Sequence, residues 1–147
     1  MERCLVALSG TGIKEDDFDA CYQKISSQNS SPKILIFFSD YQDLWYYAKQ
    51  LKEKFPEAIS IGASTCINFS TEGYSEKGLS VMAIYNGVEC SCGLIYEVSR
   101  HPKNYSQHIR DALKALTSTD NTCCLEFTTS GFRCEELVLD TFEDILK

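Results

Sequence analysis

Four short stretches gather the side chains and bare backbone that could do chemistry. In Gly62-Ala63-Ser64-Thr65-Cys66, small residues and two hydroxyls follow an apolar run. Ser39-Asp40 follows a second apolar run and Thr128-Thr129 a third, while Glu72-Gly73 lies in a turn-rich segment. Exposed N–H groups and hydroxyls at the end of a strand suit a ligand carboxylate, and a nearby carboxylate suits an ammonium group. The candidate ligand residues are therefore Ser39, Asp40, Gly62, Ala63, Ser64, Thr65, Glu72, Thr128 and Thr129. Asp40 or Glu72 would meet the ammonium, and Arg133 is a weaker candidate for the carboxylate. Helix capping is the competing account of Ser39 and Asp40, and a plain turn is the competing account of Gly62–Thr65.

Other chemistries fit less well. Gly62-Ala63-Ser64-Thr65-Cys66 lacks the second glycine of a nucleophile elbow, and a serine nucleophile needs a histidine base. The two histidines are His101, beside Pro102, and His108, on the outer side of a helix. Gly10-Thr11-Gly12 follows a strand, but position 15 is Glu where a dinucleotide fingerprint needs a third glycine, so a tight turn is the better reading. The eight cysteines include Cys90-x-Cys92 and Cys123-Cys124, neither with the spacing of a zinc knuckle. They read as free thiols serving as small hydrophobes. No catalytic residue and no metal ligand is expected.

The elements that would position these stretches follow from hydrophobic periodicity. Strands are expected at Cys4–Leu8, Ile34–Phe38, Ala58–Ile61, Leu79–Tyr85 and Cys123–Phe127. Helices are expected at Lys14–Ile25, Tyr41–Phe55 ending at Pro56, Tyr105–Leu116, and from Cys134 or Glu135 to Leu146. The continuous run Ile34-Leu35-Ile36-Phe37-Phe38 predicts a central strand covered on both faces. Asn86-Gly87 predicts a hairpin joining Leu79–Tyr85 to a strand over Val88–Val98. The expected fold is α/β, with a mostly parallel sheet, helices on both faces and an antiparallel ribbon at about 79–98. Ligands of open α/β sheets bind outside the carboxyl ends of the strands, which is where the candidate stretches fall.

A shift of 89 residues (127 − 38) places Phe38 on Phe127 and Val6 on Ile95, and overlays the helices near Asp16–Ile25 and Tyr105–Lys114. This predicts a duplicated strand-helix-strand-helix unit. The second copy then lacks a counterpart of Ala58–Ile61, so one domain truncated at its C-terminus is expected, with an open edge that could make a homodimer. The 147 residues carry a net charge of −7, which disfavours nucleic acid and anionic membrane as main partners. With neither a run of about 18 apolar residues nor a secretory leader, a cytoplasmic location without membrane contact is expected.

The run Lys33-Ile34-Leu35-Ile36-Phe37-Phe38-Ser39-Asp40, the helix ending at Phe55-Pro56, Ile59-Ser60-Ile61-Gly62-Ala63-Ser64-Thr65, Glu72-Gly73 and Leu79–Ile84 together resemble the FIST N-terminal sensory domain. The resemblance covers about 33–98 by motif and the rest by order of elements. It implies a bacterial or archaeal intracellular signal-input module that binds a small ligand, amino acids being the usual proposal. It also implies an output domain in the same chain, such as a chemoreceptor, histidine kinase or cyclic-dinucleotide enzyme. No cofactor is expected, and the chain is expected not to be an enzyme. The alternatives are a haem-based gas sensor using His101 or His108, a truncated enzyme domain without identifiable catalytic residues, and a scaffold that only dimerises.

Overall fold

The computed structural model describes residues 4–71, 73–95, 105–118, 120, 122–127 and 135–146. The chain divides into two compact units, Met1–Val88 and Glu89–Lys147.

The first unit contains strands β1 (Cys4–Ser9), β2 (Ile34–Ser39), β3 (Ile59–Ser64), β4 (Asn68–Ser70), β5 (Gly73–Ser75) and β6 (Leu79–Ile84), with helices α1 (Lys14–Ser26) and α2 (Leu44–Lys54). Four strands form one sheet in the order β1-β6-β2-β3. Only β2 and β3 pair in parallel; β6 is antiparallel to both β1 and β2. The sheet is therefore mixed, not mostly parallel. The cause is β6, which returns between β1 and β2 instead of extending the sheet beyond β3.

Strand alternation sorts the side chains into two faces. One carries Ala7, Leu35, Phe37, Leu79, Val81 and Ala83, which are buried in one cluster with Phe18, Cys21 and Ile25 of α1 and Tyr47 and Leu51 of α2. Both helices of this unit thus pack on the same face, where helices were expected on both faces of the sheet. Rings and cations tie α1 to α2: Lys14 lies 5.0 Å from the Tyr46 ring centroid, and the Tyr22 ring lies 5.6 Å from that of Phe55. The opposite face carries Val6, Ile36, Phe38, Ser80 and Met82. There the β4–β5 hairpin crosses, held by the Ser80 hydroxyl donating to the Phe69 carbonyl at 3.1 Å.

This hairpin has its polarity reversed. Cross-strand partners Phe69 and Tyr74 are 69% and 72% exposed, whereas Asn68, opposite Ser75, is 1% exposed. Both amide atoms of Asn68 are buried without a partner among the described residues. The sequence suggested only turns across Ser70–Gly78, because three-residue strands leave too short an alternation to detect.

β3 also differs from expectation. It runs through Gly62, Ala63 and Ser64 in place of breaking at Gly62. Gly62 is a packing residue here: a Cβ at that position would stand 2.5 Å from the ring of Phe37, its register partner on β2. α2 begins at Leu44, three residues later than expected. Asp40 Oδ1 accepts from the Gln42 and Asp43 N–H groups at 2.9 and 3.2 Å, holding the chain in a turn before the helix.

The second unit contains α3 (Tyr105–Leu113) and α4 (Glu135–Leu146). Ile109 and Val138 are buried against each other's helices, with Ile95, Leu113, Phe142 and Ile145 packed around them. The Thr117 N–H and hydroxyl donate to Glu89 Oε2 at 2.9 and 2.7 Å, and these bonds hold the Glu89 carboxyl below its usual range. Residues 88–95 and 122–127 form no strand. The described part of the 79–98 ribbon is therefore β6 alone, and the expected strand at Cys123–Phe127 is not formed. Of the duplicated unit, the described residues retain the two helices.

Among the described cysteines only Cys21 sits in the core as the small hydrophobe expected. Of the seven described, Cys21 is buried and Cys90 partly so, while Cys4, Cys66, Cys92, Cys123 and Cys124 are exposed.

Candidate functional site

The register of the sheet aligns one row across its end: Ser9 beside Leu79, Leu79 beside Ser39, Ser39 beside Ser64. Because β1, β2 and β3 point the same way, this row is their common carboxyl edge. Ser39-Asp40 and Ser64-Thr65 are therefore brought together, and the Thr65 N–H donates to the Ser39 carbonyl at 2.8 Å. Thr128, Thr129, Glu72, Arg133 and His101 lie outside the described residues.

Hydrogen bonding decides which of these groups can face a ligand. The Ser39 hydroxyl is fully buried and donates to its neighbour's carbonyl, Asp40 O, at 3.0 Å. Thr65 spends its hydroxyl locally, donating to Ile67 O at 2.9 Å and accepting from Ile67 N–H at 3.3 Å. Asp40 has one oxygen engaged in the turn before α2. Ser64 is exposed at the end of β3. Gly62 and Ala63 lie within the strand ladder, so neither offers the open loop backbone expected of them.

A cleft at this edge lies at the β1 end. It has a volume of about 550 Å³ and is walled by Gly10, Thr11 and Gly12 on one side and Tyr74, Ser75, Glu76 and Lys77 on the other. Three strand spacings separate Ser9 from Ser64, roughly 14 Å, which exceeds the length of a small metabolite. A small ligand in the cleft would not reach Ser64. Gly10-Thr11-Gly12 reads from sequence as a tight turn, and nothing local shows that Lys77 lies opposite it. The glycine pair after a strand was the signal.

Asp17 fixes the wall. Its carboxylate is fully buried beneath the loop. Oδ1 accepts from the Ser9 hydroxyl and the Thr11 N–H, both at 2.7 Å, and Oδ2 accepts from the Gly12 N–H at 3.3 Å. Gly12, at φ +82°, makes the turn that aims these amides inward. Across the cleft, Gly10 is pressed so closely to Ser75 that a Cβ would overlap its hydroxyl.

Behind the same edge, the Tyr47 hydroxyl is buried with no partner among the described residues. Burial, then the charges of Asp17, Asp43 and Asp40, pushes its pKa up. A buried unpaired hydroxyl costs about 1–3 kcal/mol. Tyr47→Phe is accordingly expected to leave stability unchanged or raise it by up to about 1 kcal/mol in urea denaturation. A loss above about 1 kcal/mol would reveal a hydrogen-bond partner for the hydroxyl.

His108, one of the two histidines weighed for haem, is exposed on α3. Among the described residues, no group of three or more His, Cys, Asp or Glu side chains is placed to hold a metal ion, and no helix is long and apolar enough to cross a membrane.

Searches of curated proteins and of solved structures returned no match. The family model of the FIST N domain matches residues 33–147, taking in β2, β3, the β4–β5 hairpin, β6 and both helices of the second unit. With more than three quarters of its length matched in this way, the chain belongs to the FIST N domain family of signal-transduction sensory domains.

Proposed function

We propose that this chain is the ligand-binding input domain of a signalling protein, with a free amino acid or a similarly small zwitterion as its ligand. The observation that carries the reading is the polar cleft at the carboxyl edge of β1. Lys77 supplies a cation for the ligand carboxylate and Glu76 an anion for its ammonium group, with the Tyr74 and Ser75 hydroxyls also in the wall, while the Thr11 hydroxyl is spent on Ile13. A cleft of this polarity suits a compact charged molecule better than an apolar one. Asp40, Ser64 and Thr65, at the far end of the same row, form a second stretch where an ammonium or carboxylate could dock, and Glu72, Thr128 and Thr129 belong to that proposal. Binding shifts a conformational equilibrium that an output domain in the same protein reads.

The test is a thermal-shift screen of amino acids on the full chain. A ligand at about 100 times its Kd stabilises by about 2.7 kcal/mol, several degrees for a domain of this size. Lys77→Ala is expected to abolish the shift, while Asp40→Ala with Ser64→Ala is expected to preserve it. The reverse pattern would move the site to the β2–β3 end of the row. No shift with any amino acid would refute the ligand class.

A further inference from the structure

The main sheet ends on β1 at one side and on β3 at the other. β4 and β5 pack against β1, whereas β3 has no strand on its outer side among the described residues. Which backbone groups β3 leaves open follows from its bonds to β2. The Ile59 N–H donates to the Lys33 carbonyl at 2.9 Å, and the Thr65 N–H donates to the Ser39 carbonyl at 2.8 Å. Alternate residues of a strand serve one neighbour in a parallel ladder, so Ile59, Ile61, Ala63 and Thr65 bond to β2. The N–H and carbonyl groups of Ser60, Gly62 and Ser64 therefore point out of the sheet, in a row along its edge. None of these groups has a hydrogen bond among the described residues.

Natural edge strands are blunted by charge, proline, a bulge or a cover. Ile59-Ser60-Ile61-Gly62-Ala63-Ser64 has no charged residue and no proline, and its register with β2 is unbroken over all 6 residues. Its side chains alternate between the two faces of the sheet. Ile59, Ile61 and Ala63 lie on the face turned away from α1 and α2, each only partly buried. Ser60, Gly62 and Ser64 lie on the helix face, where the Ser60 hydroxyl is buried with no partner among the described residues and Ser64 is exposed.

We propose that β3 is a dimer edge, to which a second copy of this chain adds its own β3 in antiparallel about a two-fold axis. The direction of the open groups selects the register. Bonded pairs must fall among Ser60, Gly62 and Ser64, because only these residues point outward. The register that uses all of them sets Gly62 opposite Gly62 of the second copy, and Ser60 opposite Ser64 of the second copy. On the helix face, the exposed Ser64 hydroxyl then stands across from the unpartnered Ser60 hydroxyl, once on each side of the axis. On the other face, Ile61 stands opposite Ala63, large against small, and the apolar rows of the two sheets run on into one another. These matches favour a second copy over an unrelated strand: one sequence supplies both sides, with no charge to repel its own image. A strand pair of this length is smaller than a standard interface of about 1,200–2,000 Å², so the dimer is reversible and dissociates on dilution. The ligand cleft stands at the β1 end of the sheet, so dimer formation does not depend on amino-acid binding.

Sedimentation velocity of the full chain follows its mass from low-micromolar to near-millimolar concentration, with dithiothreitol present to keep the exposed cysteines reduced. A monomer–dimer equilibrium is expected. Amide hydrogen exchange, read by NMR at both ends of that range, locates the contact. The Ser60, Gly62 and Ser64 amides should exchange freely in the monomer and slow about tenfold in the dimer, while the Ile61 and Ala63 amides, bonded to β2, stay protected in both. Ser64→Pro removes an outward donor and leaves the ladder to β2 intact, since proline is tolerated on an edge strand where the N–H faces outward. Ala63→Lys sets like charges on the two facing strands. Both positions are exposed or partly exposed, so the fold is retained, and a circular dichroism melt verifies it. Each variant should stay monomeric throughout the range. The proposal is overturned if the unmodified chain is monomeric at every concentration, or if the dimer survives either substitution in a folded variant. It is also overturned if the Ser60, Gly62 and Ser64 amides are already protected in the monomer, because the same chain would then cover its own edge.

Discussion

Gly78→Ala is expected to cost roughly 2–6 kcal/mol, enough to unfold a domain whose total stability is about 5–15 kcal/mol. Two physical terms add. The residue has φ +89°, a left-handed conformation that costs a non-glycine residue about 1–3 kcal/mol. A methyl group there would also stand 2.1 Å from the Ser9 carbonyl oxygen, 2.8 Å from Gly10 Cα and 2.9 Å from Asp17 Oδ2. Two of these are backbone atoms, which cannot rotate away as a side chain would, so crowding adds about 1–3 kcal/mol. Gly87 separates the terms. It has φ +81° with nothing within 4 Å of its Cβ position, so Gly87→Ala should show the conformational cost alone. Urea denaturation of the two variants measures the difference. If Gly78→Ala lost no more than Gly87→Ala, the close approach of Gly78 to β1 would be wrong.

The crowding at Gly78 also shows which parts of the fold the sequence could reveal. Periodicity is a local signal, and it located β2 from Ile34–Phe38 and α1 from Phe18, Cys21 and Ile25. Topology is non-local. Leu79–Ile84 reads as a buried strand in any position, and nothing in those six residues says that they pair with both Cys4–Ser9 and Ile34–Ser39. That single insertion makes the sheet mixed and brings Lys77-Gly78 against Gly10–Gly12, creating the cleft. The same limit applies to Gly62, which looks like a strand breaker until Phe37 is known to lie beside it. Ser39 and Ser64 were placed on one edge by reasoning that each follows a strand, and the register agrees. Whether their hydroxyls face outward depended on local bonds, such as Ser39 to Asp40 O, that residue type alone does not specify.

Asp17→Asn should have the second large effect, and it links stability to the proposed ligand. An ionised carboxylate offers only acceptors, matching the three donors that converge on Asp17. An asparagine amide must turn its NH2 group toward at least one of them, so a donor meets a donor at a side chain that is itself fully buried. Hydrogen bonds to charged groups contribute about 1.5–3 kcal/mol, and an orphaned buried donor costs about 1–3 kcal/mol, so a loss of roughly 2–5 kcal/mol is expected. Ser9→Ala should cost about 1 kcal/mol on its own and less in the Asp17→Asn background, because the two groups share one bond. The carboxylate also holds the loop that walls the cleft. Asp17→Asn should therefore weaken the binding of an amino acid, measured by calorimetric titration well below the variant's own unfolding temperature as well as by thermal shift. Gly87→Ala, destabilised at a turn away from the cleft, should keep its shift in full. If the two variants lost ligand response in proportion to lost stability, Asp17 would be a folding residue only. A selective loss in Asp17→Asn would mean that the buried carboxylate shapes the place where the signal is received.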